Sequence, residues 1–382
     1  MASHAKSLAP KPPLPARFAV PFAELRKRYG KASGPICDAI EALGKHVDVS
    51  GLSQEKLRAK LWKLPEQTLC LVGGYAQIPP FVRDNPTGPQ TKNYASCGDS
   101  DRHLPTDAPY GADPKDPAGE LVPTKAISRI PDGAPLDASS FLKTLQWQAQ
   151  ALTLPTCAGS FEQASDDLAK PARAISNVLK KSGGTGKVSL SPKDGNINDP
   201  ELTSRLSNHG RLHLLLHGSN KDPQWSALYG RVPYAPQAED TRALSAPLLD
   251  LCDLRGAFVA MTSCYGAMLD SGDKAPSKAA RAPANQMALA MLAHGAKAIF
   301  GATRSNWIDL NGDQSFGPAL TSHLWTRLGQ GIPAAEALRR AKQDLHDELL
   351  HGDESDLAFG IKTLLQAHCY GHPLAQLSHR GK

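Results

Sequence analysis

The chain has 382 residues, 41% hydrophobic and 21% charged, with a mass of 40.7 kDa, which is room for one large domain or two subdomains and excludes wholesale disorder. Its 43 Lys and Arg against 37 Asp and Glu leave a formal charge of +6, too mild to argue for a nucleic-acid partner. No apolar run approaches the roughly 18 residues of a membrane span, and the opening MASHAKSLAPKPPLPARF has no apolar signal core, so a cytoplasmic protein without a membrane partner is expected.

Residues 1–16, rich in Pro, Ala and Lys, read as a flexible tail. Helical apolar spacing covers Ile36–Leu43 and Gln54–Leu64. Thr68–Val72 is a buried-strand run closed by Gly73 and Gly74. Asp84–Gly119, dense in Pro, Gly, Asp and Asn, reads as a long surface loop. Lys125–Ile130 is the next strand, and Ala138–Ala151 and Ser160–Lys180 read as helices. Further on, strands are expected at Leu212–Leu216, Ala257–Thr262 and Ala296–Gly301. Helices are expected at Ala284–His294, Gln314–Leu328, Pro333–Leu350 and Asp356–Gln366. Continuous apolar strands separated by helices predict an α/β fold, a parallel-rich sheet with helices on both faces. The division expected is an N-terminal α/β subdomain over 17–150 and a second subdomain over 151–382. Asp84–Gly119 and Lys180–Gly195, both rich in turn residues, are the expected sites of any proteolytic maturation.

The seven cysteines (Cys37, Cys70, Cys97, Cys157, Cys252, Cys264, Cys369) are odd in number and contain no C-x-x-C pair. Zinc-ribbon and thioredoxin readings fail on that count, and reduced, mostly buried thiols are expected. Two strands end unusually. Leu212–Leu216 runs into His217-Gly218-Ser219, and Ala257–Thr262 runs into Ser263-Cys264-Tyr265-Gly266-Ala267. If these strands are neighbours, an imidazole and a thiol leave the sheet at its carboxyl edge, where α/β proteins bind ligands. A cysteine hydrolase needs that pair: a thiol that becomes thiolate and a base that takes and returns the proton. Gly218, Gly266 and Ala267 leave room for a substrate backbone, and the N–H groups of Gly218 and Cys264 could form an oxyanion hole.

His217 and Cys264 lie 47 residues apart, near the caspase spacing of about 50, and the chain resembles the gingipain-like peptidases of the caspase-like clan. The resemblance extends well beyond this pair. Leu71–Gly74 with Ile78-Pro79-Pro80 is similar to the family's early strand and turn. Thr106–Tyr110 and Ala126–Pro131 are similar to its aspartate–tyrosine and arginine–proline segments. Leu214–Ser219 with Trp225 and Tyr229-Gly230 resembles its histidine block, Thr262–Ala267 its nucleophile block, Gly295–Thr303 its following strand, and Tyr370–Pro373 its closing segment. In order and spacing these span residues 20 to 375. The resemblance implies a caspase-like catalytic second subdomain, Cys264 as nucleophile and His217 as general acid/base. It also implies a P1 pocket walled by Trp307, with an acidic anchor for Arg or Lys sought among Glu162, Asp166 and Asp309. His372 stands where the family's closing motif usually has Asp.

Other signals are weaker. Gly183–Val188 lacks the Ser or Thr and the preceding strand of a phosphate loop. Asp309–Asp313 alternates oxygen ligands, but Gln314 and Leu320 replace the Gly and Glu of a calcium loop, so a polar loop is preferred and calcium is kept only because some clan members use it. His209, His213 and His217 lack a carboxylate at ligand spacing, and His213 reads as a packing residue. The basic Arg26-Lys27-Arg28 cluster reads as a solvated helix face. No cofactor and no metal are expected. The leading reading is a caspase-like cysteine endopeptidase cleaving a protein or peptide substrate after Arg or Lys, such as a neighbouring pore-forming effector. The alternative is a non-catalytic or conditionally active caspase-like module that binds a partner protein in signalling or defence.

Overall fold

Short apolar runs punctuated by Gly and polar turns set the strands, and amphipathic segments between them cover both faces. The computed structural model describes residues 15–91, 99–133, 137–219, 227–231, 241–269, 286–306 and 316–377. Its first half contains, in order, β1 (Ala16–Val20), α1 (Phe22–Tyr29), α2 (Ser33–Glu41), β2 (His46–Asp48), α3 (Gln54–Trp62), β3 (Thr68–Val72), β4 (Phe81–Asp84), β5 (His103–Thr106), β6 (Ala126–Ile130) and α4 (Ala138–Gln150). The second half contains β7 (Ser160–Ser165), α5 (Ala169–Lys181), β8 (Val188–Ser191), α6 (Leu202–Ser207), β9 (Arg211–Leu215), β10 (His217–Gly218), β11 (Ala227–Tyr229) and β12 (Arg242–Ser245). It continues with β13 (Phe258–Met261), α7 (Met287–Ala293), β14 (Ala298–Ala302), α8 (Phe316–Gly329), α9 (Ala334–Leu349), α10 (Glu354–Gln366) and β15 (Ala367–Gly371).

Ten of the strands form one sheet in the order β2-β1-β3-β6-β15-β14-β13-β9-β7-β8. Pairing is parallel throughout except between β14 and β15, an antiparallel seam where the halves meet. The last strand of the chain, β15, therefore sits mid-sheet and ties the two halves together. Successive residues of β13 bury opposite faces. Val259 packs with Leu212, Met291 and Leu292 on one side. Phe258 and Ala260 pack with Ile175, Leu324, Trp325 and Leu338 on the other. Both faces being covered is why these strands read as unbroken apolar runs rather than alternating ones.

Two expectations are corrected. Ser160–Lys180 is not one helix: Ser160–Ser165 is a fully buried strand between β8 and β9, and the helix begins at Ala169. Pro171 in its first turn marks the true start, because only there is a missing N–H tolerated. Asp84–Gly119 is not a plain surface loop. β4 and β5 pair as an antiparallel hairpin, and Asp99, Asp107 and Tyr110 beyond or within it are buried. Its polar composition misleads because the buried groups bond to one another and to the core instead of to water.

The best example lies between the hairpin and β6. Arg129 is fully buried and makes a two-pronged contact with Asp107, Nε to Oδ2 at 2.8 Å and Nη2 to Oδ1 at 2.6 Å. Its third nitrogen donates to the carbonyls of Gly73 and Ile78 at 2.8 and 3.0 Å. Asp132, after β6, accepts the Tyr29 hydroxyl at 2.7 Å and the Gly74 N–H at 2.5 Å, and pairs with Arg28 at 2.9 Å. A Cβ at Gly74 would lie 2.3 Å from the Asp132 carboxylate, so only glycine fits this turn.

Candidate active site

The usable edge of a parallel sheet is at the carboxyl ends of its strands, where the following loops diverge. Register sets four such ends level. Ala164 of β7 lies opposite Leu215 of β9, and Met261 of β13 lies opposite both Leu214 of β9 and Gly301 of β14. Asp166 and Asp167, His217, Cys264 and Asn306 follow just beyond these residues and emerge at one edge.

His217 and Gly218 pair with Tyr229 and Leu228 in the short hairpin β10–β11, which fixes their backbone. His217 Nε2 lies 3.1 Å from Asp167 Oδ2 and 3.2 Å from Oδ1. Partial burial of Asp167 works against its charge. Hydrogen bonds from His217 and Ser165 outweigh that and hold the carboxyl below its usual range. The result is a carboxylate able to orient the imidazole and stabilise its cation.

Cys264 Sγ accepts the Asn306 N–H at 3.2 Å and lies 3.5 Å from the Asn306 carbonyl. Burial pushes the thiol up, only partly offset by the Asn306 N–H and the charge of Lys362. The next residue, Tyr265, has φ 57°, the left-handed region that a bulky side chain adopts only when its surroundings enforce it. Here the Tyr265 N–H donates to Arg304 O and the Ala267 N–H to Ala302 O, both at 3.0 Å, tying the turn to the end of β14. A Cβ on Gly218 would lie 1.8 Å from the Cys264 carbonyl oxygen. The histidine and cysteine segments therefore touch backbone to backbone, which only glycine allows. Among the described residues no acceptor takes the Cys264 N–H.

The other candidates divide. Asp166 reaches the same edge and pairs with Arg231 Nη2 at 3.3 Å. Glu162 does not: it is 1% exposed in the middle of β7, with Oε1 accepting the Ser160 hydroxyl at 2.8 Å. Trp307 and Asp309 lie outside the described residues. His213 is buried in β9 with Nε2 3.3 Å from Thr262 Oγ1, and burial pushes its pKa down to about 3. His372 is likewise buried, edge-on to Phe18, its pKa pushed down to about 4. Among the described residues no group of three or more His, Cys, Asp or Glu is placed to hold a metal, and no helix is long and apolar enough to cross a membrane. Asp167 was not singled out from sequence. Reading Ser160–Ser165 as a strand would have carried it to the same edge as His217.

No protein-family model matches the sequence, and no curated protein matches it either. Among solved structures, the Arg-specific cysteine proteinase gingipain R superposes with a TM-score of 0.60 at 11% identity, over 94% of this chain and 78% of that one. The separase of Saccharomyces cerevisiae, in its complex with securin, reaches a TM-score of 0.40 at 12% identity, over 65% of this chain and 14% of that one. The fold is thus the mixed, mostly parallel sheet of gingipain R, flanked by helices.

Proposed function

We propose that this protein is a cysteine endopeptidase in which Cys264 attacks the scissile carbonyl and His217, steadied by Asp167, carries the proton. The observation that carries the reading is the emergence of His217 and Cys264 from the adjacent strands β9 and β13, with Gly218 lying against the Cys264 carbonyl. Cys264 gives its proton to His217 as the Sγ–C bond forms. The oxyanion of the tetrahedral intermediate faces the Cys264 N–H, aided by that of Gly218. Collapse breaks the C–N bond, and His217 returns its proton to the leaving amine. Water then attacks the thioester, passes a proton to His217 and releases the acid, and the sulfur regains the proton.

Because burial pushes the Cys264 thiol up, the proposed mechanism gives His217 the role of general base. Asp167→Asn is therefore expected to lower kcat by about 10²-fold with little change in KM, since it removes the charge that stabilises the imidazolium. Steady-state kinetics on one peptide checks this; an unchanged kcat removes Asp167 from the proposal.

Cleavage after Arg or Lys is the specificity we favour. Asp166, beside Asp167, already accepts a guanidinium from Arg231, and gingipain R is by its description Arg-specific. A carboxylate binds a guanidinium through charge-assisted, bidentate bonds that an ammonium cannot reproduce. With Glu162 enclosed in the sheet, Asp166 is the first anchor to test, and Trp307 and Asp309 are the remaining candidates. A P1-scanned fluorogenic library should show Arg cut best, with Asp166→Asn reducing kcat/KM for Arg by about 10-fold or more. Best cleavage after Asp or a small apolar residue would contradict the basic pocket. An unchanged Arg preference in Asp166→Asn would move the anchor elsewhere.

A thiol pushed up by burial also supports a second reading, a module whose activity is conditional on a partner. A wild-type chain that cleaves no peptide alone, but does so with a partner protein present, would favour it.

A further inference from the structure

We propose that Asp101, at the mouth of the β4–β5 hairpin, is a positioning residue that clamps both sides of the Cys264 thiol; the proposal rests on the peptidase reading for its consequence in catalysis. Asp101 Oδ2 accepts the Tyr265 hydroxyl and the Ser305 N–H, each at 3.0 Å, and shares the single proton of the Ser305 hydroxyl, 3.0 Å away, with Asp99 Oδ1 at 2.9 Å. Tyr265 directly follows the nucleophile. Ser305 directly precedes Asn306, whose N–H reaches the sulfur at 3.2 Å. One carboxylate from the first half of the chain therefore fixes the two second-half segments that hold the sulfur, and it anchors the tyrosine whose left-handed backbone turns the loop.

The segment that carries Asp101 is itself held, its backbone N–H donating to Asp99 Oδ1 at 3.1 Å. Asp99, buried two residues earlier, accepts Asn85 Nδ2 at 2.8 Å and the Thr87 hydroxyl at 2.7 Å, and it pairs with Lys362 of α10. Lys362 Nζ also donates to Ser305 Oγ at 2.7 Å. Lys362 is 1% exposed, so a buried cation balances part of the charge of the two aspartates and braces Ser305 from the other side. A plain hairpin staple would need neither contact with residues flanking the sulfur. Among the described residues, the ionisable groups at this edge include Asp99 and Asp101 from the hairpin, Lys362 from α10, Arg304 after β14, and His217 with Asp167 from β10 and the end of β7. Of these, Asp101 and Asp99 favour the protonated sulfur and Lys362 favours the thiolate.

The test uses the full chain with Asp101→Asn and Tyr265→Phe, and with Asp84→Asn, exposed on the same hairpin, as control. The measurements are kcat and KM on a cleaved peptide, and the pH midpoint of Cys264 alkylation by iodoacetamide read by peptide mapping. The expected result is a kcat lowered about tenfold in both variants, with KM within about twofold. Removing a negative charge beside a thiol favours the thiolate, so the alkylation midpoint should fall in Asp101→Asn and stay in Tyr265→Phe. Asp84→Asn should match wild type in both. A wild-type kcat in Tyr265→Phe, or an unmoved midpoint in folded Asp101→Asn, overturns the clamp. If Asp101→Asn does not fold, the kcat of Tyr265→Phe decides alone. A wild-type chain that cleaves nothing, alone or with a partner protein present, defeats the peptidase reading, while the alkylation midpoints still test the clamp.

Discussion

Cys264→Ala is expected to lose peptide hydrolysis by about four orders of magnitude or more, with its unfolding midpoint near that of wild type. The size follows from the role: among the described residues no other group at this edge can form the thioester, and removing a covalent nucleophile leaves only the residual effect of binding and oxyanion stabilisation. The stability part follows from the site. The sulfur's polar contacts are to the Asn306 backbone, and alanine leaves the Gly218 approach and the Tyr265 turn in place. Progress curves on a cleaved peptide together with urea unfolding check both halves. Hydrolysis at the wild-type rate would remove Cys264 from the mechanism.

Arg129→Met is expected to destabilise the chain by about 3–5 kcal/mol, because it strands a buried carboxylate without its partner. Asp107 would lose both guanidinium bonds and keep only the weaker contact with His368 Nδ1 at 3.5 Å. The Gly73 and Ile78 carbonyls would lose their donor as well. The double variant Arg129→Met with Asp107→Leu should recover a large part of the loss, since no buried charge is then left unpaired. Urea unfolding of the four proteins measures the coupling, and additive losses would contradict it. The pair also sets an acid limit. Burial would raise the Asp107 pKa, but Arg129 outweighs it and drives it far below the carboxylate range. Such a depressed group contributes stability in full above its unfolded value of about 3.9. That contribution is lost as pH falls toward the folded value, so unfolding midpoints should drop below about pH 4 and do so less in the double variant.

The strands that carry His217 and Cys264 were legible because they are buried on both faces, which leaves unbroken apolar runs ending abruptly in polar residues. β15 was not. Its sequence, Ala367-His368-Cys369-Tyr370-Gly371, has no strand signature, and its place mid-sheet comes from pairing with β6 and β14 across the chain. β7 failed for a related reason: Glu162 and Gln163 look helical, and only the neighbouring strands decide that Ser160–Ser165 is extended. That one error hid Asp167. The hairpin cluster was illegible in kind. Asp99, Asp101 and Lys362 are separated by more than 260 residues at the extremes, and a polar stretch read locally gives no sign that its acids will be buried against a lysine from the last helix. Gly218 and Gly266 were noticed as small residues beside the reacting groups. Contact of Gly218 with the Cys264 backbone gives the first of these a specific reason.

The central claim is that Cys264 is a nucleophile activated by His217, and labelling with a peptidyl acyloxymethyl ketone carrying Arg at P1, followed by peptide mapping, tests it most directly. Cys157 is exposed and serves as an internal control for simple accessibility. The predicted result is one adduct per chain, on Cys264, lost in His217→Ala while Cys157 stays unmodified. An adduct on Cys157 in preference to Cys264, or labelling of Cys264 that is indifferent to His217, would contradict the claim.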